Sequence, residues 1–323
     1  MPTSGERVLV TGATGFVGGA VRPALRAAGW RIRCLTRGLP PFADQRDEWV
    51  RGDVGDEAAI RAALDGCQTA LFLVHGMGDG ADFHPREVEA ARVFARTAAT
   101  VGLRRVVYLG GMVPRADASE HLQSRREVGQ ALRAGPVSTV ELRASMIVGH
   151  GSLSWLIVRD LAARLPIMVL PAWLRSRTQP VAIDDVVAAL VAALDLDLPG
   201  SAHFDLPGPD VLSGAQILDQ TARAMGFAAP WKVELPLLTP RLSSLWVRFV
   251  TRARWSVARQ VVVGLTHDLL SEDEGLWPLI GRGKRLTFME AAQRALAAER
   301  QLAIPGAWGA LEQVRRRASA RFQ

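Results

Sequence analysis

Val8-Leu9-Val10-Thr11-Gly12-Ala13-Thr14-Gly15-Phe16-Val17-Gly18-Gly19 is the stretch on which the fold turns. Val8, Leu9 and Val10 make a short, fully apolar strand. Glycines at 12, 15 and 18 follow as a turn, and Gly19 to Ala28 reads as a helix closed by Gly29. Strand, glycine turn and helix in that order leave backbone N–H groups at a helix N-terminus, where partial positive charge suits a pyrophosphate. Gly12 permits the tight turn, Gly15 lets phosphates approach the backbone, and Gly18 lets helix and strand pack closely. Ala13, Thr14, Phe16 and Val17 complete the expected dinucleotide contact. The spacing is G-x-x-G-x-x-G rather than the G-x-G-x-x-G of many dehydrogenases, and the flanking strand and helix give it weight.

The next strand, Arg31 to Thr36, ends at Arg37-Gly38. In a nucleotide-binding βαβ unit this end meets the adenosine ribose, where an acidic residue accepts from a free 2′-hydroxyl. Thr36 and Arg37 stand there instead. An arginine pairs with a 2′-phosphate and stacks on adenine, so NADP(H) is favoured over NAD(H). Trp49 to Val54 reads as a short strand ending near Asp53. That aspartate has two readings: it accepts from the adenine amino group while Val54 packs on the ring, or it caps a turn. Asp56 caps a helix from Glu57 to Leu64.

Thr69 to Val74 is an apolar strand that stops at His75-Gly76. Ligands lie beyond the carboxyl ends of such strands, which places Val74, His75 and Gly76 beside the cofactor. A helix over Pro85 to Val101 and a strand over Arg105 to Leu109 lead to Gly110-Gly111-Met112. Asp117 and Glu120 have capping-box spacing for a helix running to Arg133. On it His121 and Arg125 are i and i+4 and share one face. Val137 to Leu142 is another strand, followed by Ser145 and Met146; with Gly111 and Met112 these are the candidate substrate contacts. Alternating strands and helices at this rhythm predict an α/β fold, a Rossmann-type doubly wound parallel sheet.

Residues 1–150 are therefore expected to form the dinucleotide-binding core. Residues 151–323 are expected to form a smaller, mostly helical substrate or lid region that contributes further elements to the core. Within it Leu153 to Leu165, Val186 to Leu194 (capped by Asp184), Ala215 to Met225 (capped by Ser213) and Thr287 to Glu299 read as helices. From Trp231 to Leu265 six basic residues stand against one acidic residue, Glu234, with Trp246, Phe249 and Trp255 interleaved. This segment reads as a basic amphipathic helix pair facing a membrane or acidic partner, as a substrate lid, or as packed helices with snorkelling arginines.

The net charge of +7 raises nucleic acid or anionic membrane as partners. The basic residues are scattered, however, and no nucleic-acid-binding motif accompanies them. Cys34 and Cys67 make neither a disulfide framework nor a metal site, and Cys34 is expected as a buried free thiol. The N-terminus shows no signal-peptide pattern. No uncharged apolar run reaches the ~18 residues of a membrane span. A soluble cytoplasmic protein acting on a small molecule is the expectation.

These residues resemble the short-chain dehydrogenase/reductase superfamily, and within it the atypical NmrA-like NAD(P)H-binding branch. The resemblance rests on Thr11 to Gly18, Asp53, Tyr108-Leu109-Gly110-Gly111, Ser119 to Arg125, Glu141-Leu142-Arg143 and Gln179 to Val186. It extends through Leu242 to Leu265. Active members commonly use a serine or threonine after the strand and Tyr-x-x-x-Lys on the next helix. Here Gly110 and Gly111 occupy the serine region, His121 aligns with the tyrosine and Arg125 with the lysine. The chain's single tyrosine, Tyr108, lies within a strand. His121 and Arg125 are then either a substitute proton carrier and anion holder or an inert remnant. The resemblance implies hydride transfer to or from a carbonyl, imine or enone. The alternatives are a non-catalytic NADP(H)-binding redox sensor or scaffold, and a sugar-nucleotide epimerase or dehydratase.

Overall fold

The computed structural model describes residues 5–38, 46–74, 83–114, 120–164, 167–170, 172–228, 231–234 and 267–301. The opening strand β1 (Arg7–Thr11) has Val8, Leu9 and Val10 fully buried, as a strand covered on both faces requires. It is followed by α1 (Phe16–Ala27), β2 (Arg31–Thr36), β3 (Glu48–Arg51), α2 (Glu57–Leu64) and β4 (Thr69–Phe72). Then come α3 (Phe83–Thr100), β5 (Arg105–Gly111), α4 (Glu120–Arg133), β6 (Ser138–Ala144), β7 (Ile147–Val148) and α5 (Leu153–Arg164). Next are β8 (Ile167–Leu170), β9 (Arg177–Thr178), β10 (Val181–Ala182), α6 (Ile183–Ala193), β11 (Ala202–Asp205), β12 (Leu212–Ser213), α7 (Gly214–Ala224) and β13 (Trp231–Glu234). A helical turn at Leu276–Leu279 and a last helix, Phe288–Gln301, complete the described elements.

Seven strands form one parallel sheet in the order β11-β6-β5-β4-β1-β2-β3. This is the expected doubly wound Rossmann arrangement. The strand order reverses at β1, so the crevice for a ligand opens between the carboxyl ends of β1 and β4. Helices α1 and α6 pack together on one face, over Val10, Cys34, Leu71 and Val107. Helices α2, α3 and α4 cover the other face through Ile60, Leu64, Phe94 and Leu132. Each of these buried side chains contributes about 1.5–3 kcal/mol. A third cluster joins α5, α7 and the last helix through Trp155, Ile217 and Phe288.

Local signals set several boundaries where the sequence puts them. Asp56 caps α2 by accepting from the amides of Ala58 and Ala59, and Ser213 and Gln216 form a complete capping box on α7. Cys34 is a buried thiol that forms no disulfide, as expected. Other boundaries shift. α1 starts at Phe16, three residues before Gly19, because the helix must begin on the turn for Gly18 to meet the strand. β3 stops at Arg51 instead of reaching Val54. β5 continues through Gly110 and Gly111, which pair with Arg143 and Ala144 of β6. Asp184 is not a cap: α6 begins at Ile183 after Ala182, and Asp184 lies in its first turn. Trp231–Glu234 is not helical but a strand paired in parallel with Ile167–Leu170. The remainder of the 231–265 segment and Asp117 lie outside the described residues.

Candidate cofactor and substrate site

The glycine turn is built by close approach. Gly12 has φ +67°, and a Cβ on it would lie 3.0 Å from the Leu73 carbonyl oxygen. A Cβ on Gly18 would run into the Gly12 carbonyl oxygen and lie 2.7 Å from the Ala13 Cα. The Thr11 hydroxyl locks β1 to β4, donating to the Leu71 carbonyl and accepting from the Leu73 amide at 3.1 Å. This brings Val74, half-buried, beside the turn. Gly15 is the N-cap of α1, and no side chain caps its first amides. Thr14 and Gly15 are exposed. A small cradle rimmed by main-chain N–H groups at a helix start fits a dinucleotide pyrophosphate. Phe16 does something else: its ring packs under the loop after β7, against Gly149 and Gly151.

At the adenosine end, Arg37 is exposed and its Nε lies 4.0 Å from Asp53 Oδ2. Asp53 Oδ1 accepts from the Gly55 amide at 2.8 Å, so one oxygen caps the turn. Val54 is half-buried against the core under α2 and α3. Thr36 ends β2 beside these groups.

At the other end, the Arg125 side chain lies against Gly111. A Cβ on Gly111 would be 3.1 Å from both Arg125 Cδ and Nη1. The guanidinium thus takes the room that a serine side chain would need. Arg125 Nε is buried and has no hydrogen-bond partner among the described residues. The helix beneath it is tied down. The Tyr108 hydroxyl donates to the Arg125 carbonyl at 3.2 Å, and Ser124 Oγ donates to Glu87 at 2.6 Å. Burial holds the Tyr108 hydroxyl protonated, well above the ordinary tyrosine range. It is committed to the helix backbone and does not act as a site acid.

The same wall holds a feature that no local pattern announces. Glu141 on β6 is 1% exposed and accepts from Arg133 Nε at 2.7 Å and Arg143 Nε at 3.0 Å. Its carboxylate fits only because 110 and 129 are glycines; a Cβ on Gly129 would stand 2.5 Å from the Glu141 carboxyl carbon. The pairing of Gly111 with Ala144 brings Gly111, Met112 and Ser145 to one edge. The Met112 amide donates to the Ala144 carbonyl at 3.1 Å, and Met112 is buried. Ser145 Oγ donates to the Gln179 carbonyl at 3.0 Å. Met146 is buried in the cluster of α5, α7 and the last helix, so its side chain faces away from the edge. His121 lies on α4 one turn before Arg125, but its side chain, like His75 and Gly76, falls outside the described residues.

Among the described residues no group of His, Cys, Asp or Glu could hold a metal ion, and no helix is long and apolar enough to cross a membrane.

Comparison with known proteins agrees with this geometry. Residues 4–144 match the NmrA-like family. The chain is 30% identical over 240 residues to a ceramide reductase of Caulobacter vibrioides, covering 71% of this chain and 73% of that one. It is 32% identical over 235 residues to the (4-alkanoyl-5-oxo-2,5-dihydrofuran-3-yl)methyl phosphate reductase of Streptomyces griseus, covering 68% and 74%. Among solved structures it is similar to MoeE5 in complex with UDP-glucose and NAD, with a TM-score of 0.69 at 18% identity over 92% of this chain and all of that one. A glycine cradle at the switch point, a helix carrying Arg125 above β5 and two reductase relatives over two thirds of the length lead to one conclusion: the chain belongs to the NmrA-like branch of the atypical short-chain dehydrogenase/reductases, oxidoreductases that bind a nicotinamide dinucleotide.

Proposed function

We propose that this protein is an NADP(H)-dependent oxidoreductase acting on a carbonyl, imine or enone of a small organic substrate, with His121 and Arg125 in place of the usual tyrosine and lysine. The observation that carries this reading is the Arg125–Gly111 contact: a guanidinium held at the carboxyl edge of β5, with an unpartnered Nε. The bound cofactor supplies or accepts the hydride. Gly12 to Gly18 would hold its pyrophosphate, Thr36 and Arg37 its 2′-phosphate, and Asp53 and Val54 its adenine. Val74, His75 and Gly76 would border it. Arg125 would hold the ribose hydroxyls or the oxygen on which charge develops, as a fixed cation does best where water is excluded. His121, one turn away on the same helix, would carry the proton, a role imidazole commonly takes in such sites.

In this reading residues 1–150 hold the cofactor and residues 151–323 shape the substrate cleft, with 231–265 as lid or peripheral contact. Gly111 and Ser145 line its floor, and Met112 and Met146 support it from behind. The two relatives are named for a ceramide and for a furan phosphate, which differ widely in polarity. They bring the reaction class to this chain and not a substrate.

The test is calorimetric titration with NADPH and NADH, followed by NADPH oxidation over a panel of carbonyls, imines and enones. Tighter NADPH binding, with turnover that drops about tenfold or more in Arg125→Met, supports the reading. Equal affinity for NADH removes the NADP(H) part. Tight binding without turnover across the panel favours the redox sensor, a reading that the committed Tyr108 hydroxyl also suits.

A further inference from the structure

We propose that Arg51 is a second cation for the 2′-phosphate of the cofactor's adenosine ribose, reaching it from the edge strand β3. The inference rests on the NADP(H) reading above and deepens it. Arg51 is the last residue of β3 and pairs in register with Thr36, the last residue of β2. The Gly52 amide donates to the Thr36 carbonyl at 2.9 Å, so the two strand ends are held side by side. Residues in parallel register project from the same face of a sheet, which sets the Arg51 side chain next to Thr36. Gly52 permits this closure: a Cβ there would lie 2.6 Å from the Ala59 Cβ on α2.

The charges along this edge are unevenly matched. Asp47 takes Arg22 and Arg26 at 2.8 and 2.7 Å. Glu48 takes Arg33 at 2.9 Å and Arg7 at 3.5 Å. Arg37 stands over Asp53. Arg51 is exposed, and among the described residues it has no ion-pair partner. At the carboxyl ends of β2 and β3, the guanidinium without an ion-pair partner among the described residues is that of Arg51, beside Thr36 and one residue from Arg37. A phosphate monoester is a doubly charged acceptor that a guanidinium fork fits. Arg37, which also has Asp53 within 4.0 Å, would share the phosphate and stack on adenine, and Arg51 would add the second positive charge.

Calorimetry on the full chain tests this with NADPH, NADH, 2′,5′-ADP and 5′-ADP as probes. Arg51→Ala is expected to weaken NADPH and 2′,5′-ADP about tenfold or more. NADH and 5′-ADP should bind as before, which also reports that the variant is folded. Arg51→Lys should recover part of the loss, and added salt should narrow the gap between wild type and variant. If Arg51→Ala binds 2′,5′-ADP like the wild type while Arg37→Ala loses it, Arg51 is only a solvated surface residue and the inference is overturned, with the NADP(H) reading intact. If the wild type binds NADH as tightly as NADPH, that reading falls first and takes the inference with it.

Discussion

The Arg125 guanidinium rests against Gly111, its Nη1 3.1 Å from the point where a Cβ on residue 111 would stand. The missing side chain on β5 and the long one on α4 are two halves of one arrangement. Gly111→Ala should therefore destabilise the protein by about 1–3 kcal/mol through overpacking. Arg125→Ala should remove most of that penalty, so the double variant is expected to lie close to Arg125→Ala alone. A double-mutant cycle by urea denaturation measures this; additive effects would mean that the two side chains do not share the space.

Gly18 and Gly19 are adjacent in α1 and should respond oppositely to alanine. A Cβ on Gly18 meets the turn backbone, whereas one on Gly19 has nothing within 4 Å. Gly18→Ala should cost about 1–3 kcal/mol or more and abolish cofactor binding. Gly19→Ala should raise stability by about 0.5–1 kcal/mol through helix propensity. Thermal melts with NADPH titrations on the two variants settle the contrast.

Tyr108 gives the protein a distinct alkaline limit. Buried, its hydroxyl keeps its proton at a pH where the unfolded chain's tyrosine, near pH 10, has lost it. That contribution to stability is complete below about pH 10 and declines above it by about 1.4 kcal/mol per pH unit. Because Tyr108 is the only tyrosine, tyrosinate absorbance should appear only with global unfolding. Tyr108→Phe should lose about 1 kcal/mol at neutral pH, with the hydrogen bond to Arg125, and flatten the alkaline slope.

Asp185 anchors the returning chain. It is fully buried on α6 and accepts from Arg282 Nε at 2.8 Å and the Leu286 amide at 2.9 Å. Asp185→Ala leaves both donors without an acceptor and should cost about 2–4 kcal/mol. Asp185→Asn, which keeps the shape, should cost less. Denaturation and protease sensitivity near residues 280–288 read the loss; cleavage unchanged from wild type would argue against an anchoring role.

What the sequence announces and what it hides follow one physical line. The glycine turn, Asp56 before α2 and Ser213 before α7 depend on neighbours within a few residues, so their patterns are legible. Arg125 could be placed on a helix face, but its contact with Gly111 joins residues that only the β5–α4 crossing brings together. Glu141 reads as one polar residue in an apolar strand; its glycine-lined niche and two arginines come from three elements. Asp184 and Asp185 look alike in sequence, and tertiary packing alone decides which is buried. Trp231–Glu234 is a strand because Ile167–Leu170 offers it an edge. Its charge pattern carries no trace of that partner.

The sheet is finished late. β11 closes the free edge of β6, and α6 lies over Val21 and Leu25 of α1. A nascent chain released at residue 150 would carry an open edge and an uncovered greasy face. During synthesis, the glycine cradle at residues 12–18 must therefore wait until α6 (Ile183–Ala193) has been made before its supporting helix is seated. Chaperone demand should peak across that interval, and truncations inside it should aggregate rather than yield a smaller binding module.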